Sequence, residues 1–61
     1  MTVEELIEKT EQSLKFEIVD TNQNILVEAG KHYFPTEILE AEINYINPEW
    51  DRKVLKVEII K

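Results

Sequence analysis

The sequence contains no cysteine, one glycine and one histidine among its 61 residues. The absence of cysteine excludes disulfide bridges, thiolate nucleophiles and zinc sites built on thiolates. One glycine is too few for a glycine-rich phosphate-binding loop, and neither the His-Glu-x-x-His spacing nor that of a calcium loop occurs. We therefore expect neither a bound metal nor a cofactor.

Long hydrophobic runs are also missing, and no segment approaches the length of a membrane-spanning helix. The N-terminal segment is acidic and lacks the apolar stretch of a secretory signal, which predicts a cytoplasmic location. Basic residues are few: 7 Lys and Arg stand against 13 Asp and Glu, for a net charge of −6. This balance argues against direct binding to nucleic acid or to a membrane, because both need clustered Lys and Arg.

The composition, with 43% hydrophobic and 33% charged residues, is typical of a single small domain over residues 1–61. A chain of this length buries only a small core, so efficient packing or a partner chain must support the fold. It has little room to enclose a substrate cleft, and its one serine, Ser13, falls at a helix-to-strand junction. We therefore expect a protein that is not an enzyme.

The first segment has the sequence of a capped helix, since Thr2 and Glu5 are spaced as a capping box. Its apolar face comprises Val3, Leu6 and Ile7. The opposite face carries three glutamates, Glu4, Glu8 and Glu11. Such a row either mimics the phosphates of a nucleic acid or forms the solvated side of an amphipathic helix.

Beyond this helix the hydrophobic period becomes that of strands, which are predicted over residues 14–19, 25–29, 41–46 and 54–60. A turn over Asp20–Asn24 joins the first two strands. It places Ile18 opposite Val27 and Phe16 opposite Ala29. Both pairs share one apolar face.

The connection after the first hairpin contains Gly30, where a bend would use the freedom of glycine at positive φ. Pro35 cannot donate to a ladder and Thr36 can cap a helical turn, so a short helical turn is expected there. A second turn over Asn47–Asp51 leads into the last strand. The resulting pairs are Tyr45 with Leu55, Ile43 with Val57 and Ala41 with Ile59.

Together these elements predict an α+β domain. One N-terminal helix packs on a four-stranded antiparallel sheet of two hairpins, with a short helical turn between the hairpins. The face of the sheet away from the helix is expected to meet water.

Residues 32–51 hold four Glu and one Asp without any Lys or Arg. This block and its aromatic residues are the candidate surface for a protein partner, and the residues concerned are Glu37, Glu40, Glu42, Glu49, Trp50, Asp51 and Tyr33. Trp50 is either an exposed anchor or a lid folded over Tyr45 or Leu55. The segment His32–Phe34 is either a binding edge or one aromatic that closes the core while His32 points to water.

The order of segments resembles short, uncharacterised proteins carried by phages and prophages of Gram-positive bacteria. The resemblance runs through Met1–Lys9, the hairpin Ile18–Leu26, the proline-led turn ending at Leu39 and the segment Val54–Ile59, and so spans nearly the whole chain. It implies an accessory protein of a mobile element acting in the host cell, and it assigns no functional residue.

Two functions follow as expectations. The first is a non-enzymatic binding module whose acidic surface engages a protein with a basic surface and inhibits a host protein that handles nucleic acid. The second is a structural homodimer, joined through a strand edge or an apolar part of the sheet, with no inhibitory role.

Overall fold

The computed structural model describes residues 1–11, 13–31 and 33–60. These residues form two short helices and four strands, in the order α1 (Val3–Glu8), β1 (Lys15–Val19), β2 (Ile25–Val27), α2 (Thr36–Leu39), β3 (Ile43–Glu49) and β4 (Val54–Ile59). The four strands make one sheet in the order β2-β1-β4-β3. The predicted α+β class is therefore confirmed.

The sheet is mixed, and the prediction of an antiparallel sheet was wrong. The central strands β1 and β4 pair in parallel, while β2 and β3 are antiparallel to their neighbours at the two edges. Sequence alternation indicates which face a side chain takes and says little about which strand lies beside it. The connection over residues 28–42 contains α2 and has the length, roughly a dozen residues or more, that a parallel crossover requires.

The helix α1 begins at the predicted capping box. The backbone N–H of Glu5 donates to the Thr2 hydroxyl at 3.3 Å, and the Glu5 carboxylate accepts from the Thr2 backbone at 3.0 Å. The helix is only six residues long. Glu11 therefore lies beyond it, and the predicted row of three glutamates is not one helical stripe.

The helix α2 is a single turn, and its start differs from the prediction. The carbonyl of Pro35 accepts from the N–H groups of Ile38 and Leu39 at 3.0 Å each. Pro35 occupies the N-cap position and no side chain caps the helix. Thr36 is thus the first helical residue rather than the cap, because the fixed backbone of proline already prepares the entry into the turn.

The hydrophobic core lies between the helices and one face of the sheet. It comprises Val3, Phe16, Ile18, Val27, Ile38, Leu55, Val57 and Ile59. Val3 belongs to α1 and Ile38 to α2, so both helices cover the same face of the sheet. Within the residues that the structure describes, no helix covers the other face, as expected from the sequence.

The first hairpin has part of the predicted register. Ile18 pairs with Val27, as predicted. The strand β2 ends at Val27, so the predicted pair of Phe16 and Ala29 is not part of the ladder. Gly30 lies in the left-handed region at φ 91°, as its place after the strand predicted.

The turn of this hairpin is held by Asp20. One oxygen of its carboxylate accepts from the backbone N–H groups of Asn22 and Asn24 at 2.9 Å each. The Asn24 side chain donates to the other oxygen at 3.2 Å. A short acidic side chain that bonds to its own backbone in this way is what the sequence of the turn indicated.

The second hairpin has a register that differs from the prediction. Its observed pairs include Ile43 with Ile59, Ile46 with Val57, Pro48 with Leu55 and Glu49 with Val54. The predicted pairs of Tyr45 with Leu55, Ile43 with Val57 and Ala41 with Ile59 do not form. The core consequently receives Ile46, while Tyr45 is 60% exposed.

The difference arises at Pro48, which the sequence placed in the turn and the structure places in β3. An edge strand accepts proline where its nitrogen faces away from the ladder. The turn therefore begins later, at Trp50. An irregularity of register between Ile43 and Tyr45 then restores the apolar face toward the start of β3.

Candidate protein-binding surfaces

The predicted binding residues lie in three places. Glu37, Glu40 and Glu42 belong to α2 and the segment after it. Glu49 ends β3, and Trp50 and Asp51 lie in the turn between β3 and β4. Tyr33 lies in the segment that follows β2. The first two groups are separated by the length of β3, roughly 20 Å at about 3.3 Å per residue. Tyr33 borders β2, at the opposite edge of the sheet from β3.

The two helices bring together glutamates that are far apart in the sequence. Because Val3 and Ile38 point into the core and α1 contacts α2, the exposed faces of both helices lie on one side of the molecule. We name this side the helical acidic surface, and its exposed carboxylates include those of Glu4, Glu8, Glu37 and Glu40. The sequence indicated the two pairs separately. They lie on one surface because α1 contacts α2, and no local sequence pattern predicts that tertiary contact.

Few basic residues occur in the segments that carry these carboxylates. Lys9 is the single Lys or Arg within residues 1–11 and 36–42. At the border of the surface, the Met1 ammonium lies 3.2 Å from the Glu42 carboxylate, and both side chains are largely exposed. An exposed ion pair of this kind contributes about 0–1 kcal/mol, so Glu42 remains accessible to another cation.

The carboxylate of Glu5 is the most constrained acidic group at this end of the molecule. The backbone N–H of Thr2 and the Thr2 hydroxyl both donate to it, at 3.0 and 3.1 Å. The backbone hydrogen bond is the larger cause, and together the two bonds lower the pKa of Glu5 from its ordinary value of 4.5. Glu5 therefore keeps its negative charge at the start of α1 in mildly acidic solution.

Trp50 lies at the tip of the turn between β3 and β4, and 68% of its surface is exposed. This exposure rejects the alternative of a lid over Tyr45 or Leu55. The turn is closed by backbone hydrogen bonds of 3.2 Å from Arg52 to Glu49 and from Lys53 to Trp50. The indole is therefore presented on a backbone that is already ordered.

The charges around Trp50 balance one another. Arg52 donates to the Glu49 carboxylate at 2.9 Å, and Asp51 is followed closely by Lys53. The turn is thus formally neutral, in contrast to the helical acidic surface. The sequence block 32–51 ends just before these two cations, which is why the turn looked more acidic than it is.

The neighbours Tyr33 and Phe34 have opposite environments. Phe34 packs against the core and meets Phe16 edge to face. Tyr33 is 78% exposed. One aromatic therefore closes the end of the core, as one of the two sequence alternatives required, while His32 lies outside the described residues.

A cavity of about 600 Å³ opens beside this end of the core. Its apolar wall includes Ile7, Phe16 and Phe34, and Lys15 and Lys31 also line it. Glu11 lines it as well, so the cavity combines apolar contact with two cations and one carboxylate.

The comparisons with known proteins assign no relative. The sequence matches no protein-family model, and no curated protein or solved structure is significantly similar to the chain. Within the described ranges, no group of three acidic or histidine side chains is placed to hold a metal ion. The helices of that part of the chain are too short to cross a membrane.

Proposed function

We propose that this protein is a small, non-enzymatic binding module that uses Trp50 as an anchor and its glutamates to attract a basic protein. The observation that carries the proposal is the 68% exposure of Trp50 on a turn closed by its own backbone. Tryptophan is enriched among the residues that dominate binding energy, because a large ring buries much surface while losing little conformational entropy.

The acidic residues supply long-range attraction. With a net charge of −6 and the carboxylates of the helical acidic surface, the protein creates a negative field on one side. Such a field accelerates encounter with a positively charged partner and favours it over others. The candidate contacts in this role are Glu37, Glu40 and Glu42, with Glu49 and Asp51 next to the anchor.

The partner that this chemistry fits is a protein that handles nucleic acid. Such proteins present Lys and Arg in a groove made for phosphates, and exposed carboxylates can occupy that groove. We propose that the protein belongs to a phage or other mobile element and inhibits such a host protein in the host cytoplasm. The balance of charges supports no direct contact with nucleic acid.

The size of the molecule limits how many candidate residues one partner can cover. A standard interface buries about 800 Å² on each side. That is roughly a fifth of the 4297 Å² surface of this protein. Trp50 and part of the acidic residues fit within such an area, whereas Tyr33, at the other edge of the sheet, belongs to a separate contact.

A capture experiment tests the proposal. The immobilised protein is incubated with lysate of a Gram-positive bacterium at low and at high salt, beside Trp50→Ala and Tyr45→Ala variants. Tyr45 is the matched control, because it is 60% exposed and lies away from the turn. We expect a basic protein captured by the wild type and by Tyr45→Ala, and a loss of about 30-fold in affinity with Trp50→Ala.

The acidic part of the proposal has its own readout. The double variant Glu37→Gln and Glu40→Gln should weaken capture at low salt and reduce its salt dependence, since two charges are removed from the helical acidic surface. Addition of duplex DNA should displace the captured protein. A partner without a basic surface, or capture that neither salt nor Trp50→Ala affects, would contradict the proposal.

A further inference from the structure

Trp50 and Asp51 are the two central residues of the turn between β3 and β4. The backbone N–H of Arg52 donates to the carbonyl of Glu49 at 3.2 Å, which closes the turn around them. Both central residues are exposed, Trp50 to 68%. An aromatic ring and a carboxylate therefore stand on adjacent residues at the tip of the hairpin.

Within the described residues, the charged neighbours leave this ring and this carboxylate unoccupied. Arg52 is engaged elsewhere, because its guanidinium donates to the Glu49 carboxylate at 2.9 Å. Over residues 1–11, 13–31 and 33–60, no cation and no second ring stacks on the Trp50 indole. In the same ranges, neither Asp51 nor Lys53 takes part in an ion pair. The tip thus offers an aromatic face and a carboxylate to a group from outside the molecule.

A cation fits both of these groups, and a guanidinium fits them better than an ammonium. The face of an indole ring attracts cations, because it carries the negative part of the ring quadrupole. A guanidinium is planar and weakly hydrated, so it can stack on the ring while the N–H groups at its edge donate to a carboxylate. An ammonium is a compact and strongly hydrated charge without a plane to stack.

We propose that Trp50 and Asp51 together bind one arginine side chain of the protein partner. The guanidinium lies on the indole face, and its N–H groups donate to the Asp51 carboxylate. This inference rests on the proposed function and names the group of the basic partner that the anchor contacts. Arginine is common on surfaces that recognise phosphate, which agrees with a partner that handles nucleic acid.

The single tryptophan of the chain allows a test that changes only this ring. A difluorinated tryptophan incorporated during expression replaces Trp50 and no other residue. Fluorine withdraws electron density from the face of the ring and keeps its size nearly the same, so the attraction to a cation weakens while the apolar surface remains. The probe is a hexa-arginine peptide, and the NMR signal of the single indole N–H reports its binding at Trp50.

The titration is run at about 0.1 M salt, where the Debye length is about 10 Å and distant charges contribute little. Fluorination should raise the dissociation constant about two- to fivefold. Asp51→Asn should raise it by a similar factor of about two to five. The matched control is Glu28→Gln, which removes an equal charge from an exposed residue after β2, at the other edge of the sheet, and should change it less than about twofold.

Two further peptides test the choice of a guanidinium. Hexa-citrulline has the same planar groups without their charge and should not shift the indole signal. Hexa-lysine should bind more weakly than hexa-arginine at Trp50. Equal binding of hexa-citrulline or of hexa-lysine would overturn the proposal. An affinity for hexa-arginine that fluorination leaves unchanged, or equal effects of Asp51→Asn and Glu28→Gln, would do the same.

The arginine contact and the proposed function can fail separately. A fluorinated protein that captures the basic partner from lysate as tightly as the unmodified protein, while Trp50→Ala does not, would overturn the arginine contact and leave the proposed function in place. Capture of no basic protein from lysate would overturn the proposed function, whatever the peptides show.

Discussion

The ring of Phe34 stands edge-on to the ring of Phe16, with centroids 6.4 Å apart and planes at 84°. Through this contact the long connection between β2 and α2 is attached to the central strand β1. The residue just before it, Tyr33, has no such role and is 78% exposed. Of these two neighbouring aromatics, Phe34 therefore belongs to the packed structure and Tyr33 lies at the surface.

The first prediction compares the same substitution at these two neighbours. Phe34→Leu removes the edge-to-face pair and part of the apolar contact, and should lower the free energy of unfolding by about 1–2 kcal/mol. Tyr33→Leu should change it by no more than about 0.5 kcal/mol, since the side chain is exposed. Urea denaturation followed by circular dichroism measures both. Equal losses for the two variants would contradict the assignment of Phe34 to the core.

The second prediction tests the register of the second hairpin. Ile46→Ala should cost about 1–3 kcal/mol of unfolding free energy, because Ile46 packs against the core. Tyr45→Ala should cost less than about 1 kcal/mol, because Tyr45 lies on the uncovered face. The register expected from the sequence requires the reverse order, so chemical denaturation of the two variants distinguishes the registers.

The third prediction concerns the pH dependence of stability. Since the folded state lowers the pKa of Glu5, its ionised form stabilises the fold above the ordinary pKa of 4.5. That contribution is lost as the pH falls through the lower pKa of the folded state. Glu5→Gln should therefore reduce stability at pH 7 and flatten its fall between about pH 5 and pH 3.

The control for Glu5 is Glu4→Gln, which removes the same charge from the same first turn of α1. Thermal unfolding across the pH range should show the smaller change in slope for Glu4→Gln. NMR titration of the Glu5 carboxyl group gives its pKa directly. A midpoint at or above the ordinary value would show that the capping box does not hold the carboxylate.

The fourth prediction uses the ion pair beside Trp50. Arg52→Gln removes the cation that lies 2.9 Å from Glu49 and makes the turn more acidic by one charge. Because the pair is exposed, stability should change by less than about 1 kcal/mol. Capture of a basic partner should become several-fold tighter at low salt and unchanged at high salt. A weaker capture would mean that Arg52 itself contacts the partner.

Local features of the fold could be predicted because their causes are local. The capping box of Thr2 and Glu5 and the turn held by Asp20 depend on atoms within a few residues of one another. The predicted pair of Ile18 and Val27 also forms, but an irregularity of register separates it from the pair of Val19 and Ile25 next to the turn. Pattern and turn chemistry were sufficient for the capping box and for the turn at Asp20.

The arrangement of strands could not be predicted in the same way. β1 and β4 lie side by side because the connection through α2 crosses over the sheet. The alternation of apolar and polar residues along a strand does not indicate the path of that connection. One signal was available in the sequence: Val19 and Val54 are each next to an apolar residue of the opposite sheet face, and both are buried outside the main core cluster. Strands that are apolar on both faces are typical of the centre of a sheet.

For the candidate surfaces, too, local features could be predicted and tertiary arrangements could not. The exposed Trp50 was one of two alternatives that composition could not decide, because a small domain also needs its large aromatics for burial. The pairing of α1 glutamates with Glu37 and Glu40 required knowledge that the helices touch. The neutrality of the turn could have been predicted from Arg52 and Lys53, which lie just beyond the acidic block of residues 32–51.

Pro48 has a consequence for how far association can proceed. Pro48 has no backbone N–H, which opposes the addition of another strand at the β3 edge of the sheet. Growth of a fibril by strand addition needs two receptive edges on every subunit. Pro48 in this edge strand therefore opposes polymerisation of a small, partly apolar protein at high concentration.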